Sequence, residues 1–247
     1  MSEPNGSGHL DHDLDQDHDN DHDQTHEHDA HDVAAMVTQE YWDERYGSAT
    51  SVWSGNPNPR LIEHAEGLPA GTAVDVGSGE GADAIWLAAR GWQVTAIDIS
   101  AVALDRAAQR AAGAGADIAD RITWRQADLL SSPSATGDAA AGRFDLVSAQ
   151  FMHLPRPDLA SLHRRLACAV GPGGTLLIVG HHPSDRQTSM GRPNLADMLY
   201  TAEEIAAALD QDEWQILVAA APERQVVDPQ GRPVTIRDAV MKALRRR

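Results

Sequence analysis

A glycine-rich segment at residues 74–81 has the residue types and spacing of a ligand-binding turn. It reads Val-Asp-Val-Gly-Ser-Gly-Glu-Gly, so that three glycines at alternating positions follow an apolar run. Glycine lets the backbone turn tightly and approach a ligand closely, and the start of a following helix offers unpaired N–H groups. With Ala82 the segment also fits the looser glycine pattern of dinucleotide-binding turns. These residues predict a site for a nucleotide-type cofactor without identifying that cofactor.

Two aspartates, Asp98 and Asp128, follow the glycine segment at the ends of further apolar runs. Asp98 comes 21 residues after Gly77, where an acidic side chain can accept hydrogen bonds from the hydroxyl groups of a ribose. The alternative is a surface aspartate that caps the next helix, although Ser100 is better placed to be that cap. Because the carboxyl ends of parallel strands meet at one edge of a sheet, we expect both acids and the glycines to line one crevice.

Histidines at two further strand ends are candidates for a general base. His153 follows an apolar run that ends at Gln150, and the pair His181-His182 follows another run that ends at Gly180. Gln150 adds a polar group that could contact a cofactor or a substrate at this edge. Histidines at strand ends also serve as structural hydrogen-bond partners, so both functions stay open for His153 and His182.

Strands and helices alternate along most of the chain, and this order predicts an α/β fold with a mostly parallel sheet covered on both faces. The predicted strands are residues 73–76, 93–98, 122–128, 144–150, 175–180 and 214–220. The predicted helices are residues 82–90, 100–112, 158–170 and 201–209. Ser100 is the expected N-cap of the second helix, and Thr201 with Glu204 forms a capping box for the last.

The charge of the chain is divided unevenly between a short tail and the rest. The 247 residues have a formal net charge of −17, with 37 acidic and 20 basic side chains. Residues 1–32 contain 11 of the acids and no lysine or arginine, which leaves residues 33–247 with a net charge of −6. A mildly acidic body argues against a nucleic-acid partner held through its phosphates, because such binding needs a clustered basic face.

Residues 1–32 form a His/Asp-rich tail that we expect to be disordered. The tail contains seven of the twelve histidines and no aromatic Phe, Trp or Tyr, so it cannot bury enough apolar surface to offset the entropy of ordering. Imidazoles among carboxylates can bind Zn²⁺, Ni²⁺ or Cu²⁺ weakly, while a solvated acidic extension is the alternative. The candidate metal ligands are His12, His18, His22, His26 and His28. We expect residues 33–247 to form a single domain that requires no metal.

Other features of the composition exclude several classes of protein. No apolar run approaches the roughly 20 residues of a membrane span, and the acidic N-terminus lacks the apolar core of a signal peptide. Cys168 is the single cysteine, which excludes an intramolecular disulfide and a thiolate metal cluster. Its amphipathic setting predicts a core position. We therefore expect a cytoplasmic protein without a membrane partner.

Five landmarks, in order and at typical spacing, make the chain resemble the class I S-adenosylmethionine-dependent methyltransferases over residues 38–247. They are Asp75 to Gly81, Asp98, Asp128-Leu129, Phe144 to Val147, and Gly171-Pro172-Gly173-Gly174 before a strand. The resemblance implies a Rossmann-like, doubly wound, mostly parallel sheet of seven strands with helices on both faces. Its last strand would be residues 238–245, which we favour as a strand although their local propensity is helical.

The same resemblance implies S-adenosylmethionine as the cofactor. Asp98 and Ile99 would lie at its ribose, and Asp128 and Leu129 at its adenine. The other residues that the resemblance places at the cofactor are Asp75, Gly77, Ser78, Gly79, Gly81 and Gln150.

A narrower resemblance, to the bacterial tellurite-resistance and thiopurine-type methyltransferases, rests on two segments. Residues 41–46 read Tyr-Trp-Asp-Glu-Arg-Tyr, with Trp53 and Pro57 after them, and residues 83–88 read Asp-Ala-Ile-Trp-Leu-Ala. In that subgroup the N-terminal segment folds over the cofactor, which implies that residues 33–60 form an aromatic cap with Trp42 as a cofactor contact. Aromatic faces attract a cation such as a sulfonium, while packing within the core is the alternative for each ring.

The implied reaction is methyl transfer by in-line displacement to a small-molecule nucleophile. The protein would mainly align the nucleophile and exclude water, and His153 or His182 would act as a base only for an acceptor that arrives protonated. Arg60 or Arg45 would bind the methionyl carboxylate, with a surface charge as the alternative for each.

The chain lacks the Asn/Asp-Pro-Pro-aromatic turn of amino-methylating nucleic-acid enzymes, since residues 150–154 read Gln-Phe-Met-His-Leu. This absence favours a small-molecule acceptor. Two other functions stay open: an NAD(P)-dependent oxidoreductase, suggested by the glycine turn and Asp98, and a metal-binding protein based on the tail.

Overall fold

The computed structural model describes residues 37–131, 143–190 and 198–247. The predicted disordered tail, residues 1–32, and its candidate metal ligands lie outside the described residues. Residues 33–36, at the start of the expected aromatic cap, lie outside them as well. Within the described ranges, no helix combines the length and the apolar character that a membrane span requires.

Eight strands of the described chain form one central sheet. They are β1 (Thr72–Val76), β2 (Gln93–Asp98), β3 (Ile122–Gln126), β4 (Phe144–Gln150), β5 (Val170–His181), β6 (Trp214–Ala220), β7 (Glu223–Val227) and β8 (Pro233–Arg245). Their order is β3-β2-β1-β4-β5-β8-β6, with β7 beside β8 and off this path. Strands β1 to β5 are parallel, whereas β8 is antiparallel to β5, β6 and β7.

The predicted doubly wound, mostly parallel α/β fold is confirmed, with one strand more than the seven expected. The additional strand β7 pairs with the first half of β8 across a turn, in which the Asp228 carboxylate accepts hydrogen bonds from the Gln230 and Arg232 N–H groups. Residues 238–245 belong to β8, as we favoured. Tertiary contacts outweigh helical propensity there, because β8 lies between β5 and β6 and residues 239–241 are buried.

Seven α-helices and one 3₁₀-helix are found in the described chain. They are α1 (Gln39–Gly47), α2 (Pro59–Ala65), α3 (Ala82–Ala89), α4 (Ala101–Ala114), α5 (Ala116–Ala119), α6 (Arg156–Ala169), the 3₁₀-helix (Pro183–Gln187) and α7 (Ala202–Ala207). Both predicted caps are confirmed. The Ser100 side chain accepts from the Ala103 N–H, and Thr201 and Glu204 form the capping box.

Apolar side chains form two core clusters, one on each face of the sheet. Val74 and Val76 of β1 belong to one cluster and Ala73 to the other, as the alternation of side chains along a strand requires. Helix α6 contributes to the first cluster through Leu162, and α3 to the second through Leu87. The strands are therefore packed on both faces of the sheet, and this packing fixes the positions of the strand ends.

Cys168 is exposed, so its predicted core position is wrong. Helix α6 buries Leu159, Leu162, Leu166 and Ala169. Residue 168 lies away from that stripe because it does not share the three- and four-residue spacing of its first three members.

Candidate active site

The carboxyl ends of the five parallel strands meet at one edge of the sheet, where strand order reverses between β1 and β4. Open α/β sheets bind ligands at this place. The structure brings most of the predicted site residues to this edge, because they end strands or directly follow them. They are Gly77, Ser78, Gly79 and Gly81 after β1, Asp98 and Ile99 at β2, Asp128 and Leu129 after β3, Gln150 and His153 at β4, and His182 after β5.

The glycine turn, residues 77–81, leads from β1 into α3 through left-handed backbone conformations. Gly77, Gly79 and Gly81 have φ angles of 71°, 50° and 80°. A Cβ atom on Gly81 would lie 2.6 Å from the Trp124 ring and 2.7 Å from the Ala107 methyl group. Gly81 is thus required both by its conformation and by the close approach of β3 and α4.

Asp98 braces the glycine turn from the neighbouring strand. One carboxylate oxygen accepts a hydrogen bond from the Gly79 N–H at 2.8 Å, and the other accepts one from the Ser100 N–H at 2.9 Å. The side chain is buried. Burial raises the pKa of Asp98, and the hydrogen bonds from Ser100 and Gly79 oppose that rise. The end of β2 and the turn after β1 are therefore held together as one unit.

Asp75 and Asp83 are two further acids next to the glycine turn. Burial raises the pKa of Asp75 well above its usual range, and the nearby charges of Asp83 and Asp98 raise it further. Burial also raises the pKa of Asp83 to about 6, although its carboxylate accepts a hydrogen bond from the Asn58 N–H at 2.6 Å. A cation bound near these three carboxylates would be stabilised, because it would offset their mutual repulsion.

Three buried polar atoms at this edge have no hydrogen-bond partner within the described part of the chain: Asp75 Oδ2, Ser78 Oγ and Gln150 Oε1. Gln150 is oriented by its Nε2, which donates to Ser148 Oγ at 2.9 Å. Ser148 lies opposite Asp75 in the pairing of β1 with β4. Since buried polar atoms are nearly always hydrogen-bonded, these three suit the polar groups of a bound ligand.

Aromatic rings from the N-terminal segment lie over the glycine turn. Tyr46 of α1 is buried, and its hydroxyl accepts a hydrogen bond from Trp53 Nε1 at 2.9 Å. A Cβ atom on Gly79 would lie 2.9 Å from that hydroxyl and 3.5 Å from Trp53 Nε1. The Trp42 ring is 5.9 Å from the Tyr46 ring, centroid to centroid. Tyr46 and Trp53 are thus the rings in reach of the turn, and Trp42 packs against Tyr46.

Two acids that sequence reasoning did not single out join the N-terminal segment to the site. Glu80, within the glycine turn, is buried and accepts hydrogen bonds from the Val52 and Trp53 N–H groups, each at 3.2 Å. Asp43 of α1 accepts a hydrogen bond from Ser100 Oγ at 2.6 Å. The sequence signals were an acid inside a glycine turn and an acid inside an aromatic motif, and neither signal indicates its partner.

The two candidate arginines lie in different surroundings. Arg60 donates from Nε to the buried Asp238 at 3.1 Å, which joins α2 to β8. The Arg45 guanidinium lies over the rings of Trp42 and Trp53, at 5.9 Å and 5.7 Å from their centroids. The structure therefore brings Arg45 to the aromatic rings over the turn, while Arg60 is engaged with the last strand.

The residues after β2 and β3 form another wall of the crevice. Strand β3 ends before Asp128, whose carboxylate accepts a hydrogen bond from the Leu130 N–H at 2.7 Å. Burial acts to raise the pKa of Asp128, but hydrogen bonds from Ser131 and Leu130 outweigh it and lower the pKa. Leu129 is buried and Ile99 is half-buried. An ionised acid and apolar side chains thus lie together at these two strand ends.

Both candidate bases use a ring nitrogen in a hydrogen bond within the protein. His153 Nε2 accepts from the His181 N–H at 3.3 Å, and the two rings stack with centroids 4.7 Å apart. His182 Nδ1 accepts from the Ser184 N–H at 3.2 Å and caps the 3₁₀-helix. Each of these ring nitrogens therefore has its lone pair engaged by a backbone N–H group of the protein.

The chain between Gln150 and His153 is held in an uncommon backbone conformation. Phe151 has a φ angle of 55°, the one positive value outside glycine among the described residues. Such a conformation persists only where the surroundings impose it, and it is common at functional sites. Here it accompanies a close contact across the site, because a Cβ atom on Gly77 would overlap the Met152 thioether.

Comparison with known proteins finds a family model that matches the part of the chain containing this site. Residues 73–174 match the family model described as "Methyltransferase domain". A release factor glutamine methyltransferase from Chlorobaculum tepidum is 41% identical over 95 residues, which are 38% of this chain and 31% of that protein. The chain spans between 31% and 52% of the length of the curated relatives that it matches. The region matched by the family model contains the glycine turn, Asp98, Asp128 and Gln150.

Solved structures share the fold over most of the chain. A structure described as "Conversion of a Disulfide Bond into a Thioacetal Group during Echinomycin Biosynthesis" has a TM-score of 0.64 at 20% identity, covering 84% of this chain and 92% of its own. TehB from Haemophilus influenzae has a TM-score of 0.59 at 16% identity, with 85% and 67% covered. Magnesium protoporphyrin IX methyltransferase from Synechocystis, solved with bound SAH, has a TM-score of 0.55 at 18% identity, with 85% and 84% covered. At these identities the likeness establishes the fold alone.

Proposed function

Because residues 73–174 form a methyltransferase domain of the class I fold, we propose that the protein transfers a methyl group from S-adenosylmethionine to a small-molecule nucleophile. The glycine turn braced by Asp98 is the observation that carries this proposal. Because its glycines have no side chains, the turn can bring its backbone close to a ligand. The buried Asp98 carboxylate lies beside the turn, where it can accept hydrogen bonds from ribose hydroxyl groups.

The residues at the strand ends fit the parts of this cofactor. Asp98 and Ile99 would hold the ribose, and Asp128 and Leu129 the adenine. The unpartnered oxygens of Asp75 and Gln150 are acceptors that suit the cofactor's ammonium group, directly or through water. Ser78 Oγ is a hydroxyl that can donate to its carboxylate.

A second group for the cofactor carboxylate is an arginine. We favour Arg45, which lies with Trp42 and Trp53 near the turn, over Arg60, which is engaged with the buried Asp238. A guanidinium binds a carboxylate through two parallel hydrogen bonds, and this would orient the cofactor along the crevice.

Several residues would support the transfer without taking part in covalent chemistry. When bound, S-adenosylmethionine supplies a methyl group on a positively charged sulfur that is a good leaving group. A positive charge nearby would favour the ionised forms of Asp75, Asp83 and Asp98, whose pKa values burial raises, and would be stabilised by them in turn. Tyr46 and Trp53 cover the turn, and the Tyr46 hydroxyl and the Trp53 indole edge are the groups nearest to Gly79. Alignment of the acceptor can then supply several kcal/mol of rate acceleration.

We place neither His153 nor His182 as an obligatory base. Each uses its unprotonated nitrogen to accept a backbone hydrogen bond, so taking a proton would break that bond. This arrangement suits a nucleophile that arrives with a free lone pair or as an anion, so that no proton has to be removed during the transfer.

The comparisons support neither of the other functions considered, and the tail on which the metal-binding alternative rests lies outside the described residues, 37–131, 143–190 and 198–247. Within these ranges, no group of three or more His, Cys, Asp or Glu side chains is arranged to hold a metal ion. The family model and the relatives reported above are methyltransferases, and none of these comparisons indicates an NAD(P)-dependent oxidoreductase.

Calorimetric titration with S-adenosylmethionine, S-adenosylhomocysteine and NADH tests the proposal. We expect binding of the first two and none of NADH. The variant Asp98→Ala should weaken S-adenosylhomocysteine binding by about 10- to 100-fold, because it removes a charged acceptor. The matched control Asp117→Ala, an exposed acid on α5, should leave the affinity unchanged. Preferential binding of NADH, or equal affinity in Asp98→Ala and wild type, would contradict the proposal.

We also propose that residues 33–247 form the methyltransferase domain and that the tail, residues 1–32, is a disordered extension. A cytoplasmic location is part of this proposal, supported by the single cysteine in 247 residues. Deletion of residues 1–32 should leave the affinity for S-adenosylhomocysteine unchanged and should weaken the binding of Ni²⁺ or Zn²⁺. Loss of cofactor binding in the truncated protein would show that the division is wrong.

A further inference from the structure

We propose that Glu80 is a positioning residue that holds residues 49–55, here called the strap, over the glycine turn and so sets how long the cofactor stays bound. The inference rests on the proposed function, because it concerns retention of the same cofactor. The strap joins α1 to α2 and forms neither helix nor strand. Its position therefore depends on contacts with other parts of the molecule.

Glu80 holds the centre of the strap with a single carboxylate oxygen. Glu80 Oε2 accepts hydrogen bonds from the N–H groups of Val52 and Trp53 at 3.2 Å each, and Ser51 Oγ, which donates to the Trp53 carbonyl at 2.6 Å, lies 3.3 Å from the same oxygen. The two N–H donors belong to consecutive residues, and the Glu80 side chain is only 4% exposed. A buried carboxylate that satisfies two backbone N–H groups fixes the path of the chain at this point.

Two arginines of α4 hold the ends of the strap. Arg106 pairs with the other Glu80 oxygen, Oε1, at 3.2 Å and donates to the Ala49 carbonyl at 2.6 Å. Arg110 donates to the Gly55 carbonyl at 2.8 Å and to the Glu80 carbonyl at 3.3 Å. Glu80 is therefore the common point of a network that reaches the first, middle and last residues of the strap.

Apolar burial contributes little to holding the strap. Trp53 is 50% exposed. A cavity of about 440 Å³ also adjoins the strap, and its lining consists of Thr50, Ser51, Glu80, Arg106, Gln109 and Arg110. Because polar contacts rather than packing fix this segment, loss of the Glu80 carboxylate would release it while leaving the sheet intact.

The strap acts on the cofactor site through Trp53. The Trp53 indole donates to the Tyr46 hydroxyl, and both groups lie over Gly79. A ligand on the glycine turn is thus covered by a ring whose backbone N–H is bound by Glu80. The strap would have to open before the ligand is released. Weaker contacts between Glu80 and the strap should therefore raise the dissociation rate of the ligand more than they lower its association rate.

The experiment measures dissociation of radiolabelled S-adenosylmethionine chased with excess S-adenosylhomocysteine. Glu80→Ala should dissociate about tenfold faster or more than wild type, in line with the loss of several hydrogen bonds to a charged group. Glu80→Gln keeps an oxygen for the backbone N–H groups but loses the charge that pairs with Arg106, so its rate should be intermediate. The control Glu66→Ala removes an exposed carboxylate of a surface ion pair and should match wild type.

A double-mutant comparison separates positioning from a general loss of stability. If Glu80 acts through Trp53, then Trp53→Leu should also accelerate dissociation, and Glu80→Ala combined with Trp53→Leu should be no faster than the faster single variant. Multiplicative effects of the two changes, or a wild-type rate in both Glu80 variants, would overturn the inference. If Glu80→Ala does not fold, Glu80→Gln and Arg106→Ala provide the comparison.

The outcomes also separate this inference from the proposed function. Failure of the wild-type protein to bind S-adenosylmethionine would refute the proposed function itself. Normal binding by wild type, together with unchanged dissociation from Glu80→Gln and Arg106→Ala, would refute only the role of Glu80.

Discussion

The glycine turn and the strap meet at Gly79, yet different interactions hold them in place. The turn is fixed by the sheet, since the Gly77 and Ser78 N–H groups both donate to the Ile97 carbonyl at 2.9 Å and 3.0 Å, and Asp98 binds the Gly79 N–H. The strap is fixed by side chains of the turn and of α4, and it keeps Trp53 half exposed. The turn can therefore open only with the sheet, whereas the strap can open by itself.

This difference suggests a division of tasks in ligand binding. A turn that is organised before the ligand arrives loses little entropy on binding, and this favours affinity. A strap held by a few polar contacts can open for entry and close for retention. The predictions that follow test the turn and its surroundings, then the strap, and end with an exposed reference carboxylate, from the largest expected effect to the smallest.

Gly81→Val should destabilise the fold by about 4 kcal/mol, because it combines a left-handed backbone with overlap against Trp124 and Ala107. Denaturant unfolding measures this change. Gly113→Ala in α4 is the matched control, since a Cβ atom there meets nothing within 4 Å, and it should be neutral or stabilising by about 0.5–1 kcal/mol. Equal stability of Gly81→Val and wild type would show that the turn is not held by the sheet.

Asp83→Asn should become more stable relative to wild type as pH rises from about 4 to 7. The Asp83 carboxyl has a pKa of about 6 in the folded protein against an ordinary 3.8, so folding favours its protonated form and loses stability as the group ionises. The difference approaches about 3 kcal/mol above pH 6, and asparagine can keep the hydrogen bond from Asn58. Denaturant unfolding at pH 4, 5.5 and 7 measures it, with the exposed Asp117→Asn as a control. A pH-independent difference would refute the burial argument.

Tyr46→Phe should loosen the strap without loosening the turn. It removes the acceptor of Trp53 Nε1, a loss of about 1 kcal/mol. Amide hydrogen exchange at residues 51–53 should accelerate by about fivefold, while exchange at residues 77–79 stays unchanged. Equal acceleration in both segments would mean that the turn and the strap open together, which would contradict the claim that the strap can open by itself.

Glu66→Gln should have the smallest effect, less than about 0.5 kcal/mol on the free energy of unfolding. Its ion pair with Arg90 is 3.8 Å long and exposed, with 67% and 41% of the two side chains accessible to solvent. The variant is an exposed reference for the Glu80 variants, because the carboxylate of Glu80 in its ion pair with Arg106 is buried. A cost above about 1 kcal/mol for Glu66→Gln would show that solvent exposure does not determine how much Glu66 and Glu80 contribute to the free energy of unfolding.

The same contrast explains which features could be predicted from the sequence. The glycine turn and the Ser100 cap depend on backbone geometry within a few residues, and local patterns carry that information. The strap contacts depend on residues 27 to 29 positions apart, and the Arg60–Asp238 pair on residues 178 positions apart. A pattern in one stretch of sequence cannot specify such partners, because the path of every intervening element decides them.

The C-terminal region contains one strand that could be predicted from the sequence and one that could not. Residues 238–245 could be favoured as a strand only because the expected sheet lacked one, since their own propensity is helical. Strand β7 had no such requirement, and its alternating exposed and half-buried residues carry a weak signal. Its place depends on the turn that Asp228 organises and on pairing with β8.

Site-resolved amide hydrogen exchange with and without S-adenosylhomocysteine tests the central claim most directly. We expect strong protection of the glycine turn, residues 77–81, and of residues 98–100, with added protection of the strap that is smaller in Glu80→Gln. Binding that leaves residues 77–81 and 98–100 unprotected would contradict the claim that this edge of the sheet holds the cofactor.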